Sequence, residues 1–416
     1  MVRAIVMDNS FSSDCIHILA LLARSRNVLL TGAPGTGKSK LLGEVSLAFE
    51  SAFGVANATT LLGISPNSSS NAPLNLNPIN GIPIPYNPPQ ASNTPINGKS
   101  IPSIVNDVIS KIPASNKSNR KVFRTVFHQN SKYRDFVSGI TPSISKSVDE
   151  PAFSIVEGTL YKASEHAKED NSASLLIIDE INRGPAVQIF GGAIVAIEPD
   201  KRLAPDGSKR TETQFFEILD PEKGEVSEYA LPADLYILAA MNQADASVEP
   251  LDVAFLRRWE PLRLEPDENA LRSFYGLGLN DGSNLPDTPA TIQDALEASV
   301  RAWIAINEQI SFGRGPDYQI GHGVLMTSKM HSELSLQDVL AILCVGWSKV
   351  RAHVEEVFFG DIRGISATLN ALDGPAYNPF SLIEMYFADD LRFRLDGPTN
   401  FSEDDIYPAL KAFARE

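Results

Sequence analysis

The chain has 416 residues, enough for two or three domains, and 43% of them are apolar, enough to give each domain a buried core. The 36 basic and 51 acidic residues give a net charge of −15, which disfavours loose electrostatic binding to a phosphate backbone or an anionic membrane. Two cysteines argue against a disulfide scaffold and a structural zinc cluster. The N-terminus lacks a signal-peptide core and no apolar run is long enough to span a membrane, so we expect a cytoplasmic protein without an anchor.

The first predicted elements are a helix, a strand and a second helix. Apolar residues recur at near-helical spacing over residues 14–25, and residues 27–30 form a short apolar run typical of a buried strand. A glycine-rich turn follows, and a helix is predicted from about Lys38 to Ser51.

That turn matches G-x-x-x-x-G-K-[ST] in full, between a predicted strand and a predicted helix. Glycines allow backbone N–H groups to curl around phosphates, and the helix N-terminus adds its positive dipole end. The motif predicts that Lys38 reaches the β- and γ-phosphates and that the Ser39 hydroxyl binds Mg²⁺. The predicted nucleotide-binding residues of this P-loop are Gly32, Pro34, Gly35, Thr36, Gly37, Lys38 and Ser39.

The alternation of strands and helices then stops. Residues 65–119 are rich in Pro, Asn and Ser, a composition that cannot bury enough apolar surface to offset the entropy of ordering it. We expect a flexible surface insertion with a short helix at 104–112. A partner-binding loop is the alternative.

Regular structure resumes with apolar runs at residues 122–129, 174–179, 235–241 and 261–264, separated by helical stretches such as 186–197. Short buried strands alternating with helices indicate an α/β fold with a parallel sheet covered on both faces. A hairpin insertion is predicted within residues 199–232. The pattern indicates a core over residues 1–265 and a mostly helical C-terminal domain over residues 266–416.

The apolar run 174–179 ends in two adjacent carboxylates, Asp179 and Glu180. In a protein with a P-loop upstream, Asp179 is expected to hold Mg²⁺, directly or through water. Glu180 is expected to orient and polarise the attacking water.

Two further polar features follow later strands. Asn242 comes just past the run 235–241, where its amide could contact the γ-phosphate or the attacking water. Arg257 and Arg258 end a short predicted helix before the next strand. One of the two is a candidate arginine finger that reaches the nucleotide of a neighbouring subunit, with a surface salt bridge as the alternative.

Other reactive side chains give no comparable pattern. The histidines show no metal-binding spacing, so His128 and His322 are expected to be structural hydrogen-bonding residues. A restriction-type nuclease core needs an acidic residue two positions before a lysine, and neither E-x-K nor D-x-K occurs in this chain. Any nuclease must therefore lie elsewhere.

An ordered series of segments resembles the AAA+ motor subunits of McrBC-type modification-dependent restriction systems, the McrB-like family. The resemblance spans most of residues 27–361, and IIDEINR, MN-x-AD and the late IGH are its more specific parts. The segments are GAPGTGKS, FHQNSKYRDFVSGITP, LLIIDEINRGPAVQIFGGAIVAIEPDKR, MNQADASVEPLDVAFLRRWEPLRLEP, GRGPDYQIGHGVLM and VEEVFFGD.

The resemblance implies an AAA+ core with a five-stranded parallel sheet flanked by helices and a C-terminal helical lid. It also implies a homo-oligomeric ring, most simply a hexamer, stimulated by a separate McrC-like nuclease or other effector subunit. DNA would then be contacted indirectly through the complex. Asn242 and Asp245 would belong to the family's signature segment, and Asn182 and Arg183 would face a neighbouring subunit.

Two departures from the family's pattern matter. Gln243 and Ala246 stand where the signature usually has threonine and arginine, as in MNTADRS, which leaves both ATP and GTP open as substrates. The chain also starts almost at the AAA+ core, without the usual N-terminal DNA-reading domain, so target recognition is expected from another chain or from the 65–119 insertion.

The leading hypothesis is a nucleotide-driven ring motor or switch in a restriction or antiphage complex. A MoxR-like AAA+ chaperone that remodels a protein partner is the alternative. A third class, a nucleotide-dependent scaffold without hydrolysis, is disfavoured because Lys38, Asp179, Glu180 and Asn242 are all present.

Overall fold

The computed structural model describes residues 11–51, 113–114, 116–142, 153–244, 251–279, 282–327, 334–372 and 374–415. Most of the predicted insertion, including its short helix at 104–112, lies outside these residues. Asp245 of the signature segment also lies outside them.

The central element is a five-stranded sheet in the order β2-β5-β8-β1-β9. The β2–β5 and β5–β8 pairs are parallel, with Val126 opposite Asp179 and Ile178 opposite Ala239. The predicted α/β fold with a five-stranded sheet is confirmed. The strands are β1 (Asn27–Gly32), β2 (Asn119–Val126), β5 (Ser172–Asp179), β8 (Leu235–Ala240) and β9 (Glu260–Leu264).

In the part of the chain that the structure describes, three antiparallel strand pairs stand outside this sheet, and only the second was predicted. They pair β3 (Ser138–Pro142) with β4 (Phe153–Glu157), β6 (Phe216–Leu219) with β7 (Val226–Tyr229), and β10 (Ser381–Phe387) with β11 (Asp390–Asp396). The mostly helical pattern predicted for residues 266–416 did not include the β10–β11 hairpin, although polar and apolar residues alternate through β11.

The first two helices begin and end within one residue of the predicted positions. The predicted helix 186–197 is wrong as a single element, because Gly191 and Gly192 end its first half and a second short helix follows. The helices are α1 (Ser13–Ser25), α2 (Lys38–Ser51), α3 (Tyr133–Phe136), α4 (Thr159–Lys168), α5 (Ala186–Phe190), α6 (Ala193–Ala196), α7 (Val253–Leu256), α8 (Glu268–Tyr275), α9 (Ile292–Arg314), α10 (Leu336–Val357), α11 (Ile362–Thr368) and α12 (Glu403–Phe413). Among the described residues, none of these helices combines the length and apolar character needed to cross a membrane.

The chain divides into two compact units that cut across the sequence. The first comprises Met1–Leu29, Lys40–Ala239 and Pro250–Glu260, and the second comprises Leu30–Ser39, Ala240–Glu249 and Pro261–Glu416. The second unit therefore contains the P-loop together with the C-terminal helices.

A buried polar network organises the first unit. Arg202 is 1% exposed, and its guanidinium donates to the Ile197 and Leu235 carbonyls and, at 2.6 Å, to Asn27 Oδ1. The Asn27 amide in turn donates to Ile197 O at 2.8 Å and to Arg258 O at 3.1 Å. Burial, and to a lesser extent nearby Arg26, lower the pKa of Arg202 to about 9. The hydrogen bonds fix the start of β1 against the segment that carries Arg258.

The second unit has a large apolar core formed by α8 to α12. Trp303 and Trp347 are buried in it, and their indole N–H groups donate to Ile320 O at 2.9 Å and to Ser299 Oγ at 2.8 Å. Each ring thus contributes apolar area while its polar atom stays hydrogen-bonded. The core fixes Ile320, which directly precedes a turn near the P-loop.

An ion cluster lies at the edge of this core. Arg272 is 3% exposed and contacts Glu297 at 2.8 Å and Glu268 at 2.6 Å, while Arg301 contacts Glu297 at 2.7 Å. Burial raises the pKa of Glu297, but the hydrogen bonds from the two arginines outweigh it, so the pKa lies below its ordinary value of 4.5. The stabilisation that these ion pairs give is complete above pH 4.5, the ordinary pKa of the carboxyl group. It is lost as the pH falls through the lower pKa that Glu297 has in the folded protein.

Arg272→Met should therefore lower the free energy of unfolding by about 2 to 3 kcal/mol, because it leaves a partly buried carboxylate with one partner fewer. Arg392→Met is the matched control, since Arg392 pairs with Asp390 at the surface and should cost under about 1 kcal/mol. Urea unfolding followed by circular dichroism measures both. Between about pH 5 and pH 3, the free energy of unfolding should fall less in Arg272→Met than in wild type. Equal costs for the two variants would contradict this account.

Candidate functional site

The P-loop follows β1 and leads into α2. Gly35 and Gly37 have φ values of 80° and 87°, in the left-handed region that favours glycine. Thr36 Oγ1 donates to Ala33 O at 2.9 Å across the turn. These features keep the loop open enough for backbone N–H groups to face an anion at the start of α2.

The Lys38 side chain is folded over this loop. Its ammonium is 8% exposed and donates to Gly32 O at 2.8 Å and to Ala33 O at 2.9 Å. Ser39, one residue further on in the first turn of α2, is exposed. The structure thus places a buried cation and an accessible hydroxyl at the same helix start.

Asn242 belongs to the same unit as the P-loop. Met241 N donates to Leu30 O at 3.0 Å, so the chain leaving β8 runs beside β1. Asn242 follows directly and is half-buried. Its position past a buried strand end agrees with the sequence expectation, and its role stays a prediction.

The acidic pair ends β5 in the other unit. Asp179 is half-buried, and its Oδ1 accepts a hydrogen bond from Glu180 N at 3.0 Å. Glu180 has φ 52° and ψ 45°, a left-handed conformation that costs a side-chain-bearing residue about 1 kcal/mol or more. The turn changes the direction of the chain at Glu180. The side chains of Asp179 and Glu180 therefore do not point to opposite faces, as neighbours within a strand do.

Glu180 also has a cationic neighbour. Its Oε2 lies 3.3 Å from Arg183 Nε, and the side chains are 25% and 51% exposed. A partly exposed pair at this distance stabilises little and exchanges readily for other partners. Asn182, between them in the chain, is buried. The resemblance had singled out both Asn182 and Arg183.

The two candidate finger arginines differ sharply in environment. Arg258 is 8% exposed, with its Nε 2.8 Å from Glu198 Oε1, and its guanidinium also donates to Ala254 O. Arg257 is exposed. For Arg258 the salt-bridge alternative therefore applies, with the Arg258 side chain largely buried and Glu198 half-buried.

Aromatic packing fixes this orientation. Phe255 and Trp259, four residues apart, point into a cluster with Phe190, with ring centroids 5.3 Å apart for Phe190–Phe255 and 5.6 Å for Phe255–Trp259. Arg257 lies between these two residues in the chain, just past the end of α7, and is exposed. Phe127 and Phe136 complete the cluster.

Sequence reasoning missed one part of the site. Gly321 N donates to Pro34 O and Gly323 N donates to Gly35 O, each at 2.9 Å, so a turn near the C-terminal helices contacts the P-loop backbone directly. The segment GRGPDYQIGHGVLM was noted as part of the resemblance without any role. Its two glycines flanking a histidine were the available signal.

The two predicted Mg²⁺ ligands each have suitable chemistry, although they belong to different units. The Ser39 hydroxyl and the Asp179 carboxylate are both hard oxygen donors, and Mg²⁺ is commonly held by one or two such groups plus phosphate oxygens. No group of three or more His, Cys, Asp or Glu side chains suited to a metal occurs in the part of the chain that the structure describes.

Comparisons with known proteins agree with the expectation of an AAA+ core. Residues 108–259 match the family of the AAA domain (dynein-related subfamily). The Type IV methyl-directed restriction enzyme EcoKMcrB subunit of Escherichia coli (strain K12) is 26% identical over 59% of this chain and 49% of its own length. The Type II restriction enzyme BsuMI component YdiS of Bacillus subtilis (strain 168) is 35% identical over 24% of this chain and 30% of its own.

The chain thus spans about half the length of the first relative and under a third of the second. A crystal structure of an ATPase candidate from Cytophaga hutchinsonii ATCC 33406 aligns with 86% of this chain and 79% of its own length. The two sequences are 12% identical, and the TM-score of 0.30 is too low to indicate a shared fold. The P-loop, the acidic end of β5, the AAA-domain match and the two restriction-system relatives support the resemblance of this chain to the McrB-like AAA+ NTPases.

Proposed function

We propose that this chain hydrolyses a purine nucleoside triphosphate, ATP or GTP, with Mg²⁺, as a subunit of a homo-oligomeric ring. The ring would act as a motor or switch for a partner nuclease or other effector in a restriction or antiphage complex in the cytoplasm. The observation that carries the proposal is the complete P-loop, with the buried Lys38 ammonium held over its mouth by two carbonyls.

Each side chain has a distinct role in the proposed reaction. The P-loop N–H groups and Lys38 bind the phosphates, and Lys38 exchanges its carbonyl contacts for phosphate oxygens. Ser39 and Asp179 are the residues that would hold Mg²⁺, which would supply charge neutralisation at the phosphates. Glu180 accepts a proton from the attacking water, and Asn242 orients the water or the γ-phosphate.

The Glu180–Arg183 contact gives the proposed base a resting partner. The ion pair holds the Glu180 carboxylate along its own turn. Because the pair is partly exposed, leaving it costs under about 1 kcal/mol. Glu180 can therefore turn from Arg183 towards water without a large penalty.

Arg257 is the better candidate for the arginine finger. Its exposure leaves it accessible to a neighbouring subunit, whereas the largely buried Arg258 side chain would have to leave its ion pair with the half-buried carboxylate of Glu198. A finger supplied in trans stabilises transition-state charge on the neighbour's nucleotide. The proposal therefore requires an oligomer.

The proposed partner rests on the relatives and on the absence of a nuclease motif. Both relatives are components of restriction enzymes, and neither E-x-K nor D-x-K occurs in this sequence. A separate McrC-like nuclease subunit would supply cleavage and would stimulate hydrolysis, with DNA contacted through the complex. Cys15 and Cys344 form no disulfide, in keeping with a reducing compartment.

Glu180→Gln should lower steady-state phosphate release by about 10²-fold or more, because it removes the general base while keeping the side-chain shape. Equilibrium binding of a fluorescent nucleotide should change less than about threefold, since the P-loop is untouched. Glu222→Gln, at the exposed turn between β6 and β7, is the matched control and should behave as wild type. Turnover in Glu180→Gln within twofold of wild type would refute the assignment.

Arg257→Ala should lower turnover by about 10³-fold without weakening nucleotide binding or lowering the melting temperature, because the side chain acts on another subunit's transition state. Arg258→Ala should instead lower the melting temperature, because it leaves the Glu198 carboxylate without its partner. Phosphate release and thermal melting of the two variants measure the difference. The assignment of the finger to Arg257 fails if its variant keeps wild-type turnover.

A further inference from the structure

A turn in the second unit contacts the P-loop through backbone hydrogen bonds. Residues 320–325, here called the lid turn, contact Pro34 O and Gly35 O through the N–H groups of Gly321 and Gly323. A Cβ on Gly321 would lie 2.0 Å from the Gly35 carbonyl carbon, and one on Gly323 would lie 2.8 Å from Gly35 O. No other residue type fits at this distance, so the close approach is built into the sequence.

The lid turn is held rigidly from its other side. Trp303 Nε1 and Asn307 Nδ2 both donate to Ile320 O, at 2.9 and 3.0 Å, and Asn307 Oδ1 accepts from Ile320 N at 2.6 Å. Both side chains come from α9 and are buried. At the far end, Tyr275 OH donates to Leu325 O at 3.4 Å. A buried helix thus sets the position of the turn against the P-loop.

The side chain at the middle of the lid turn is His322. Asp267 N donates to His322 Nδ1 at 3.1 Å, which requires a lone pair on Nδ1. The neutral ring therefore carries its proton on Nε2. A Cβ added to Gly37 would lie 3.9 Å from Nε2, so this atom is beside the last glycine of the P-loop.

Gly37 directly precedes α2, whose first N–H groups have no partner within the helix and so face a bound phosphate. A hydrogen-bond donor beside Gly37 is therefore beside the phosphates of a bound nucleotide. We propose that His322 is a nucleotide-binding residue, whose Nε2–H donates to a phosphate oxygen of the nucleoside di- or triphosphate held by the P-loop. This inference rests on the proposed function, since it assigns a further contact within the same site.

The contact also links nucleotide binding to the C-terminal helices. Asp267 is the N-cap residue of α8, and its N–H holds the His322 ring while its carboxylate caps Asn269 N at 2.8 Å. A bound phosphate would thus be connected through one imidazole to the start of α8. Loss of the nucleotide removes that connection but leaves the backbone contacts of the lid turn in place.

Two substitutions test the roles of the two ring nitrogens of His322 separately. In His322→Asn the side-chain oxygen can take the place of Nδ1 and accept from Asp267 N, but no donor reaches the position of Nε2. In His322→Gln the side-chain amide can take the place of Nε2, but the acceptor for Asp267 N is lost. His353→Asn is the matched control, because His353 bonds the Tyr318 carbonyl at 2.8 Å instead of approaching the P-loop.

The experiment is equilibrium binding of mant-ADP and mant-GDP to the full chain and the three variants, with thermal melting of each protein without nucleotide. His322→Asn should raise Kd about tenfold, as expected for losing a hydrogen bond to a charged oxygen, while the melting temperature stays near that of wild type. His322→Gln should bind within about threefold of wild type, and His353→Asn should bind as wild type.

Unchanged Kd in His322→Asn would overturn the inference, and so would an equal loss in the Asn and Gln variants, since that pattern would mean that the ring only supports the turn. Failure of wild type to bind either nucleotide would overturn the proposed function as well. Binding by wild type with no effect of His322→Asn would overturn the inference alone.

Discussion

Continuous burial of the central strands governs where this chain can place polar chemistry. All six residues of β1 and of β8 are buried, as are the first seven of β5. A polar side chain within these runs must find a hydrogen-bonding partner inside the protein, as Asn27 does at the start of β1, so side chains that bind a ligand are accommodated more readily at the carboxyl ends of the strands. The P-loop, Asp179 and Asn242 lie at or just past those ends. The carboxyl ends of parallel strands are also where α/β sheets bind ligands, so the same constraint explains both the fold and the proposed chemistry.

A second constraint connects the proposed base with the proposed finger. The aromatic cluster around Phe190 receives Phe255 and Trp259 from the segment that carries Arg257, and Phe190 itself ends the helix that follows Arg183. Interiors packed this closely transmit small shifts instead of absorbing them. Movement of the turn at Glu180 would therefore shift the segment that carries the exposed Arg257. This provides a physical route by which the state of one nucleotide could influence the neighbouring subunit.

Sequence alone predicted the sheet, the first helices and the P-loop, because local apolar runs and one motif determine them. It could not separate Arg257 from Arg258, since the difference depends on Glu198, some sixty positions away in the chain. The role of the lid turn could not be predicted from the sequence either, because the contact between Gly321 and Pro34 forms only through tertiary packing. The helix break at Gly191 and the β10–β11 hairpin were available in the sequence and were missed, since apolar spacing outweighed glycine and alternation there.

The central claim is that hydrolysis needs residues from two subunits, and mixing two inactive variants tests it most directly. Glu180→Gln subunits keep Arg257, and Arg257→Ala subunits keep Glu180, so a mixed ring contains complete sites where one type adjoins the other. In an equal, random mixture about a quarter of the interfaces should be complete, and phosphate release should rise to about that fraction of the wild-type value. Turnover in co-assembled mixtures that stays at the level of the separate variants would contradict the account.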